Sequence, residues 1–178
     1  MRPSSFFVGG ALLSSLLAPP AISTVQAAPA PTFTSKKDGY AIYLPGKPQA
    51  ASRQMALPNA GNMKVNFISV SKPPVAYVVI PMKLPGTPNG ASVNQFLEGV
   101  QRGFTMSTAA KLLSSKKISL NGAPGREILV QAGPSLMRGR FFVKGNRSYQ
   151  VIAVSPKNGE AKYRAQVLQV LNSFRILG

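Results

Sequence analysis

Alternating apolar and polar positions in residues 39–82 predict short strands separated by turns. The stretch GYAIYLP, residues 39–45, alternates large and smaller apolar side chains and runs into Pro45-Gly46, a common turn pair. Residues 63–67 alternate in a similar way, and residues 75–82 are rich in side chains that favour strands. Pro73-Pro74 lies between the last two segments and predicts a corner there. Together the three segments predict an antiparallel meander.

Two neighbouring stretches have weaker patterns. Residues 28–37, APAPTFTSKK, are rich in Pro, Ala, Ser and Thr and end in two lysines, which predicts a flexible leader. The domain proper, residues 38–178, then starts near Asp38. Residues 49–61 lack a clear period and are compatible with a long loop or with a weak edge strand.

The apolar period becomes helical over residues 92–106. Ser92 and Gln95 have the spacing of a capping box at the start of this helix. Gly99 and Gly103 each weaken a helix by up to about 1 kcal/mol relative to Ala, and we therefore expect that side of the helix to pack closely on a sheet. Core packing accounts for the apolar stripe, which consists of Val93, Phe96, Leu97, Val100 and Phe104.

Four more strands and a closing helix are predicted after residue 115. The loop NGAPG at residues 121–125 and the pair Gly145-Asn146 are typical of hairpin turns, and the strands that flank them cover residues 116–120, 126–132, 138–144 and 147–154. The helix begins near Asn158-Gly159-Glu160. Its apolar face consists of Tyr163, Val167, Val170, Leu171 and Phe174. This order of elements predicts the α+β class, with helices packed on an antiparallel sheet in a single domain.

The amino terminus has the pattern of a signal peptide, residues 1–27. Arg2 precedes an apolar run over residues 6–17, and Val25-Gln26-Ala27 provides small residues for cleavage. Cleavage after Ala27 is favoured because cleavage one residue later would leave Pro29 first. The apolar run is shorter than the ~20 residues that span a bilayer. We therefore expect an exported protein, periplasmic or extracellular, with no transmembrane segment in the mature chain; the alternative is that the apolar run is retained as an anchor.

The composition lacks most of the side chains that enzymes use. The chain has 21 Lys and Arg against four Asp and Glu, and it has no His and no Cys. Two Ser-x-x-Lys sequences, which start at Ser69 and Ser114, match the spacing of a serine–lysine pair, but they fall in or beside predicted strands and lack the companion motifs. We therefore predict no catalytic, metal or cofactor site. The few carboxylates fall on different predicted elements: Asp38, Glu98, Glu127 and Glu160.

The excess of positive charge leads to one candidate binding surface. A two-residue turn at Gly145-Asn146 places both flanking strands in register, so that alternate side chains share one face. Such a mixture of cations and aromatic rings suits a polyanion, such as nucleic acid, acidic polysaccharide or anionic lipid headgroups. The alternative is that the charges are solvated at the strand ends and the aromatic side chains are buried under a helix. The candidate polyanion-binding residues are Arg138, Arg140, Lys144, Arg147 and Tyr149, with Phe142 and Val151 on the same face.

The order of elements also resembles a known family. The segments that carry the resemblance are GYAIYLPGKP, KKISLNGAPGRE, RGRFFVKGNRSYQVIAV and the closing LNSFRIL, together with the helix between the first two. They are similar to small exported domains of the Mog1/PsbP-like kind. The resemblance implies an αβα sandwich around an antiparallel sheet and a non-enzymatic role. That family includes extrinsic photosystem subunits, a Ran-binding protein and many uncharacterised bacterial members, and the sequence assigns neither photosystem nor Ran binding to this chain.

Two functions remain open from the sequence. The first is an interaction or assembly module outside the cytoplasm that docks on a protein or envelope partner. The second is a cationic polyanion-binding protein. An uncovered and contiguous basic face would favour polyanion binding, and scattered charge would favour the interaction module. Weak, non-specific attraction to anions is expected in either case because of the net charge of +17.

Overall fold

The structure, a computed structural model, describes residues 28–57, 61–107 and 109–177. The predicted signal peptide and its cleavage site lie outside these residues. Among the described residues, no helix is both long enough and apolar enough to cross a bilayer. In chain order the elements are β1 (Phe33–Ser35), β2 (Tyr40–Ile42), β3 (Gln49–Leu57), β4 (Gly61–Lys72), β5 (Val75–Lys83), α1 (Gly90–Ser107), β6 (Lys111–Leu120), β7 (Ala123–Ala132), β8 (Ser135–Lys144), β9 (Arg147–Pro156), α2 (Glu160–Ser173) and β10 (Arg175–Ile176).

A seven-stranded antiparallel sheet forms the centre of the molecule. Its strands are ordered β3-β4-β5-β9-β8-β7-β6, so β5 and β9 join two sequential meanders. The helix α1 follows β5, in the middle of the sheet, and leads to β6, which is an outer strand of the sheet. A second sheet of three short strands has the order β1-β2-β10 and so contains the first and the last strand of the described residues.

The predicted meander is correct for its last two segments and wrong for the first. Strands β4 and β5 pair on either side of Pro73-Pro74, as predicted, but their third partner is β3. Tyr40–Ile42 lies instead in the small sheet, where all three of its side chains are buried. Of the two alternatives for residues 49–61, the edge strand is confirmed over Gln49–Leu57, since β3 pairs with β4 along its whole length, and residues 58–60 of that stretch lie outside the described residues.

The small sheet shows that the folded part of the chain starts before Asp38, the predicted start of the domain. Phe33–Ser35, which lies in the predicted flexible leader, pairs with β2. The Thr32 hydroxyl donates to the carbonyl of Leu44 at 3.0 Å and accepts the backbone N–H of Leu44 at 2.8 Å. The folded part therefore includes residues that the composition alone assigned to a leader.

Helix α1 covers one face of the large sheet, and two details of its prediction are wrong. The helix begins at Gly90, and Ser92 accepts the backbone N–H of Asn89 at 2.7 Å, so Ser92 occupies the third position of the first turn rather than the cap. A Cβ at Gly99 or Gly103 would have no atom within 4 Å, so these glycines do not pack on the sheet. The predicted stripe does pack there, against a core of Leu84, Ile128, Val130, Phe141 and Val143.

Helix α2 and the small sheet cover the opposite face. Phe174, directly after α2, stacks on Phe142 with ring centroids 5.8 Å apart and also contacts Tyr40 and Tyr149. The resulting three layers confirm the predicted αβα sandwich of the α+β class. This core contains Tyr40, Ile42, Leu44, Val70, Val75, Tyr77, Val79, Phe142, Tyr149, Val151, Ala153, Val167, Val170, Leu171 and Phe174.

Both predicted hairpin turns are present. Asn121 and Gly122 have φ values of 49° and 77°, as a two-residue turn of the type I′ class requires, so this turn is shorter than the predicted five-residue loop. Gly145, at φ 57°, and Asn146 connect β8 to β9. The second turn sets the register on which the candidate site depends.

Candidate binding site at one end of the large sheet

The predicted face of the β8–β9 hairpin exists, but it is mostly covered. Arg140 lies opposite Val151, Phe142 opposite Tyr149, and Lys144 opposite Arg147, so the predicted residues do share one face. Phe142 and Tyr149 are buried under α2 and the small sheet. The Tyr149 hydroxyl donates to the backbone carbonyl of Asp38 at 2.9 Å.

Arg138 and Arg140 belong to a charge cluster around a buried carboxylate. The Arg140 Nε donates to the Glu127 Oε2 at 2.7 Å, and the Arg138 Nη1 lies 3.2 Å from Oε1. The Lys116 Nζ also lies 3.2 Å from Oε1. Burial raises the pKa of Glu127, but the hydrogen bonds and charges of Arg140 and Lys116 outweigh it, and the net pKa lies below its ordinary value. The carboxylate is therefore ionised and engaged by three cations.

The same two arginines also attach α2 to the sheet. The Arg140 Nη1 donates to the carbonyl of Leu171 in the last turn of α2 at 3.2 Å. The Arg138 Nη2 lies 3.7 Å from the Glu160 carboxylate at the start of α2. Their side chains are only 13% and 18% exposed, so they hold the layers together rather than form an open cationic surface.

A different group of cations lies at the end of the sheet. Arg147 pairs with Lys83 on β5 and with Lys144 on β8, so three cations stand side by side on three adjacent strands. In the part of the chain that the structure describes, none of the three forms an ion pair. Like charges directly opposite each other destabilise a sheet, and an anion bound between them would remove that cost.

Lys83 and Arg147 of this row line a cavity of about 270 Å³, whereas the Lys144 Nζ lies outside its lining and donates to the carbonyl of Asn121 at 3.3 Å. Lys37 closes the cavity from the turn between β1 and β2, and Gly39 makes room for Arg147, because a Cβ there would lie 2.8 Å from the Arg147 Nη1. Gly39 has φ +69°, which glycine adopts without strain. We call Lys37, Lys83, Lys144 and Arg147 the cationic cluster.

A second cavity, of about 310 Å³, adjoins the first and shares Asp38 and Pro81 with it. It opens between β1 of the small sheet and the β3–β4 edge of the large sheet. The Ser35 hydroxyl donates to the Asp38 Oδ2 at 2.7 Å and accepts the Asp38 backbone N–H at 3.2 Å, which fixes the carboxylate at the boundary. The other lining residues are Phe33, Tyr40, Ala50, Ala51, Ser52, Asn66, Phe67 and Ile68.

Sequence reasoning found half of the cationic cluster. It named Lys144 and Arg147, because both flank a recognisable turn. It missed Lys83, because the pairing of β5 with β9 joins strands that are far apart in the chain. It missed Lys37 as a site residue, because the composition placed that residue in a leader. The available signal was that Lys83 is the last residue of β5 and Arg147 the first residue of β9, which places them at the same end of the sheet if the two strands pair antiparallel.

The residues weighed for catalysis are dispersed. Ser114 and Lys117 lie three positions apart in β6, and Ser69 and Lys72 do so in β4, a spacing that directs side chains to opposite faces of a strand. Glu98 lies 3.6 Å from the Arg126 guanidinium on the α1 face. Glu127 lies on the sheet face that α2 covers, Glu160 is the first residue of α2, and Asp38 lies at the boundary of the two cavities.

The chain has a PsbP-like fold. It is similar to the solution structure of cyanobacterial PsbP (CyanoP) from Synechocystis sp. PCC 6803, with a TM-score of 0.61 and 11% identity over 81% of this chain and 90% of that one. A crystal structure of a protein of unknown function from Pseudomonas aeruginosa gives a TM-score of 0.45 at 11% identity, over 66% of this chain and 94% of that one. No protein-family model and no curated protein matches the sequence. At these identities the likeness concerns the fold.

Proposed function

We propose that this protein, a single α+β domain with the PsbP-like fold, works outside the cytoplasm as a non-enzymatic interaction module. It docks on an acidic surface of a protein partner through the cationic cluster. The observation that carries the proposal is the row Lys83, Arg147 and Lys144 on adjacent strands, without ion-pair partners among the described residues. Lys83 and Arg147 of this row line a cavity.

Four other cations differ from this site, namely the exposed Lys116 and the half-buried Arg126, Arg138 and Arg140. Each of the four pairs with a glutamate of the same chain. Their charge is compensated within the fold. No member of the cationic cluster forms an ion pair within the described part of the chain. Lys37, Lys83 and Arg147 line a concave surface together with Asp38, and an incoming carboxylate can approach several donors there at once.

The distribution of charge favours a protein partner over a long polyanion. The predicted polyanion surface of the β8–β9 hairpin is interrupted, because α2 covers Arg138 and Arg140 and the small sheet covers Tyr149. The cationic cluster is compact and bordered by Met82, Pro81 and Tyr149. Such a mixture suits a few acidic side chains on a folded or peptide partner better than a continuous tract of phosphates.

A pull-down with matched charge variants tests the proposal. The variant Lys83→Gln/Arg147→Gln removes two charges from the cluster. The control variant Lys72→Gln/Lys157→Gln also removes two charges, but at the other ends of β5 and β9. We expect an envelope protein to be retained at physiological salt by the wild type and by the control variant, and to be lost with the cluster variant. Equal loss with both variants would contradict a defined site, because a general electrostatic field would then explain the attraction. Retention of heparin, DNA or anionic vesicles in place of a protein would favour the polyanion alternative.

A further inference from the structure

The second cavity is open because the residues that border it on β3 are small. Ala50 and Ser52 alternate onto the face of the large sheet that carries the small sheet, opposite Ile68 and Asn66 on β4. Larger side chains at these two positions would fill the space between β3 and β1. With Phe33 from β1, the sequence therefore leaves an apolar groove between the edges of two sheets.

Several hydrogen-bonding groups along this groove have no partner among the described residues. The Tyr40 hydroxyl is fully buried and unpaired, which is costly for a polar group away from water. The side chains of Ser52 and Asn66 are exposed, form no hydrogen bond within the described chain and are therefore available to a ligand. Burial, followed by the nearby charge of Asp38, raises the pKa of Tyr40 well above its ordinary value, so this hydroxyl stays a proton donor.

The two walls of the groove are both edge strands. β1 is the outer strand of the small sheet and β3 is the outer strand of the large one, so each has backbone N–H and C=O groups that its own sheet does not use. Such edges suit the main chain of an extended peptide. A cavity of about 310 Å³ has room for one large side chain.

We infer that the groove binds one large apolar or aromatic side chain of an extended peptide segment, whose neighbouring acidic residues contact the cationic cluster. This inference rests on the proposed function and specifies its partner as a short motif of an aromatic residue next to glutamates or aspartates. Asp38 and Pro81 line both cavities, so adjacent residues of one peptide reach both. Peptide carbonyls supply acceptors for unpaired donors, and peptide N–H groups supply donors for the Asp38 carboxylate.

The absence of Trp from the chain makes the test direct, because the emission of a Trp in a peptide is then unobscured. The probes are two capped peptides of three glutamates and glycines, with Trp either before or after the glutamates, and twins in which Ala replaces Trp. We expect one Trp peptide to bind about tenfold more tightly than its Ala twin and its emission to shift to the blue, since an aromatic ring leaves water.

Two variants of the same strand locate the effect. Ala50→Phe fills the groove and should remove the tenfold advantage of Trp, whereas Gln49→Phe, which alternation directs to the other face of β3, should leave it. Equal affinity of Trp and Ala peptides, or a Trp advantage that survives Ala50→Phe, would overturn this inference and leave the proposed function intact. Failure of both peptide types to bind the wild-type protein would count against the proposed function as well.

Discussion

The Arg140 Nε and the Glu127 Oε2 lie 2.7 Å apart in the interior of the protein, and this ion pair joins the neighbouring strands β8 and β7 of the large sheet. Arg140 uses a second nitrogen to bind the carbonyl of Leu171, so one side chain joins β7, β8 and the end of the helix. Glu127 is 5% exposed and is the carboxylate that Lys116 and Arg138 also contact. The two arginines named as candidate ligands thus have a structural role in the fold.

Replacement of Arg140 should therefore destabilise the protein. Arg140→Gln leaves a buried carboxylate with a weaker partner, and we expect a loss of about 2–4 kcal/mol in the free energy of unfolding, measured with urea. Glu127→Gln/Arg140→Gln removes both charges and should recover part of that loss. A loss below about 0.5 kcal/mol for the single variant would show that the pair contributes little.

The pH dependence of stability follows from the same carboxylate. The pKa of Glu127 is lowered in the folded protein from an ordinary value of 4.5, so its stabilising effect is complete above 4.5 and is lost as the pH falls through the folded value. With no His in the chain, we expect the melting temperature to change little from pH 7 to pH 5 and to fall below about pH 4.5. Glu127→Gln should flatten that acid fall, and Glu98→Gln, at a carboxylate that is 52% exposed, should not. A cooperative transition between pH 7 and pH 5 would contradict this account.

Helix α1 offers a test of the glycine environments. Gly99→Ala and Gly103→Ala should each stabilise the protein by up to about 1 kcal/mol, because the added methyl group meets nothing within 4 Å and helix propensity improves. Gly125→Ala is the matched contrast. Its Cβ would lie 2.5 Å from the carbonyl oxygen of Phe141, and we expect destabilisation. Thermal unfolding of the three variants measures the difference, and destabilisation by Gly103→Ala would mean that this face of α1 is packed after all.

Local patterns were sufficient for the sheet-and-helix framework. The turn pairs at Asn121-Gly122 and Gly145-Asn146 and the stripe of α1 depend on residues close in sequence, and the structure contains all three. The placement of β2 could not be predicted in this way, because its partners are β1, from the presumed leader, and β10, from the end of the chain. A short apolar strand has the same pattern in either sheet.

The candidate site was predictable only in part, for a related reason. Alternation correctly placed Arg138, Arg140, Lys144 and Arg147 on one face, but it contains no information on what covers that face. Helix α2 covers that face and accepts a hydrogen bond from Arg140. Glu127 pairs with Arg140 because β7 lies next to β8. The cationic cluster depends likewise on the long-range pairing of β5 with β9.

The cationic cluster should have a measurable effect on stability. Lys83 lies directly opposite Arg147, so Lys83→Gln relieves repulsion and should raise the melting temperature by about 1–2 °C at low salt, with a smaller gain at high salt. Lys72→Gln is the control, because Lys72 pairs with Val75. A lower melting temperature for Lys83→Gln at low salt would indicate that Lys83 is compensated within the fold.

Site-specific crosslinking tests the central proposal most directly. The chain has no Cys, so Lys144→Cys and Lys72→Cys each provide a unique position for a photo-crosslinker, at the cationic cluster and at the opposite end of the sheet region, with equal loss of charge. After irradiation in envelope extracts at physiological salt, we predict one discrete protein adduct from position 144, which an excess of an acidic peptide suppresses, and none from position 72. Equal adducts from both positions, or an adduct from position 72 alone, would contradict docking through the cationic cluster.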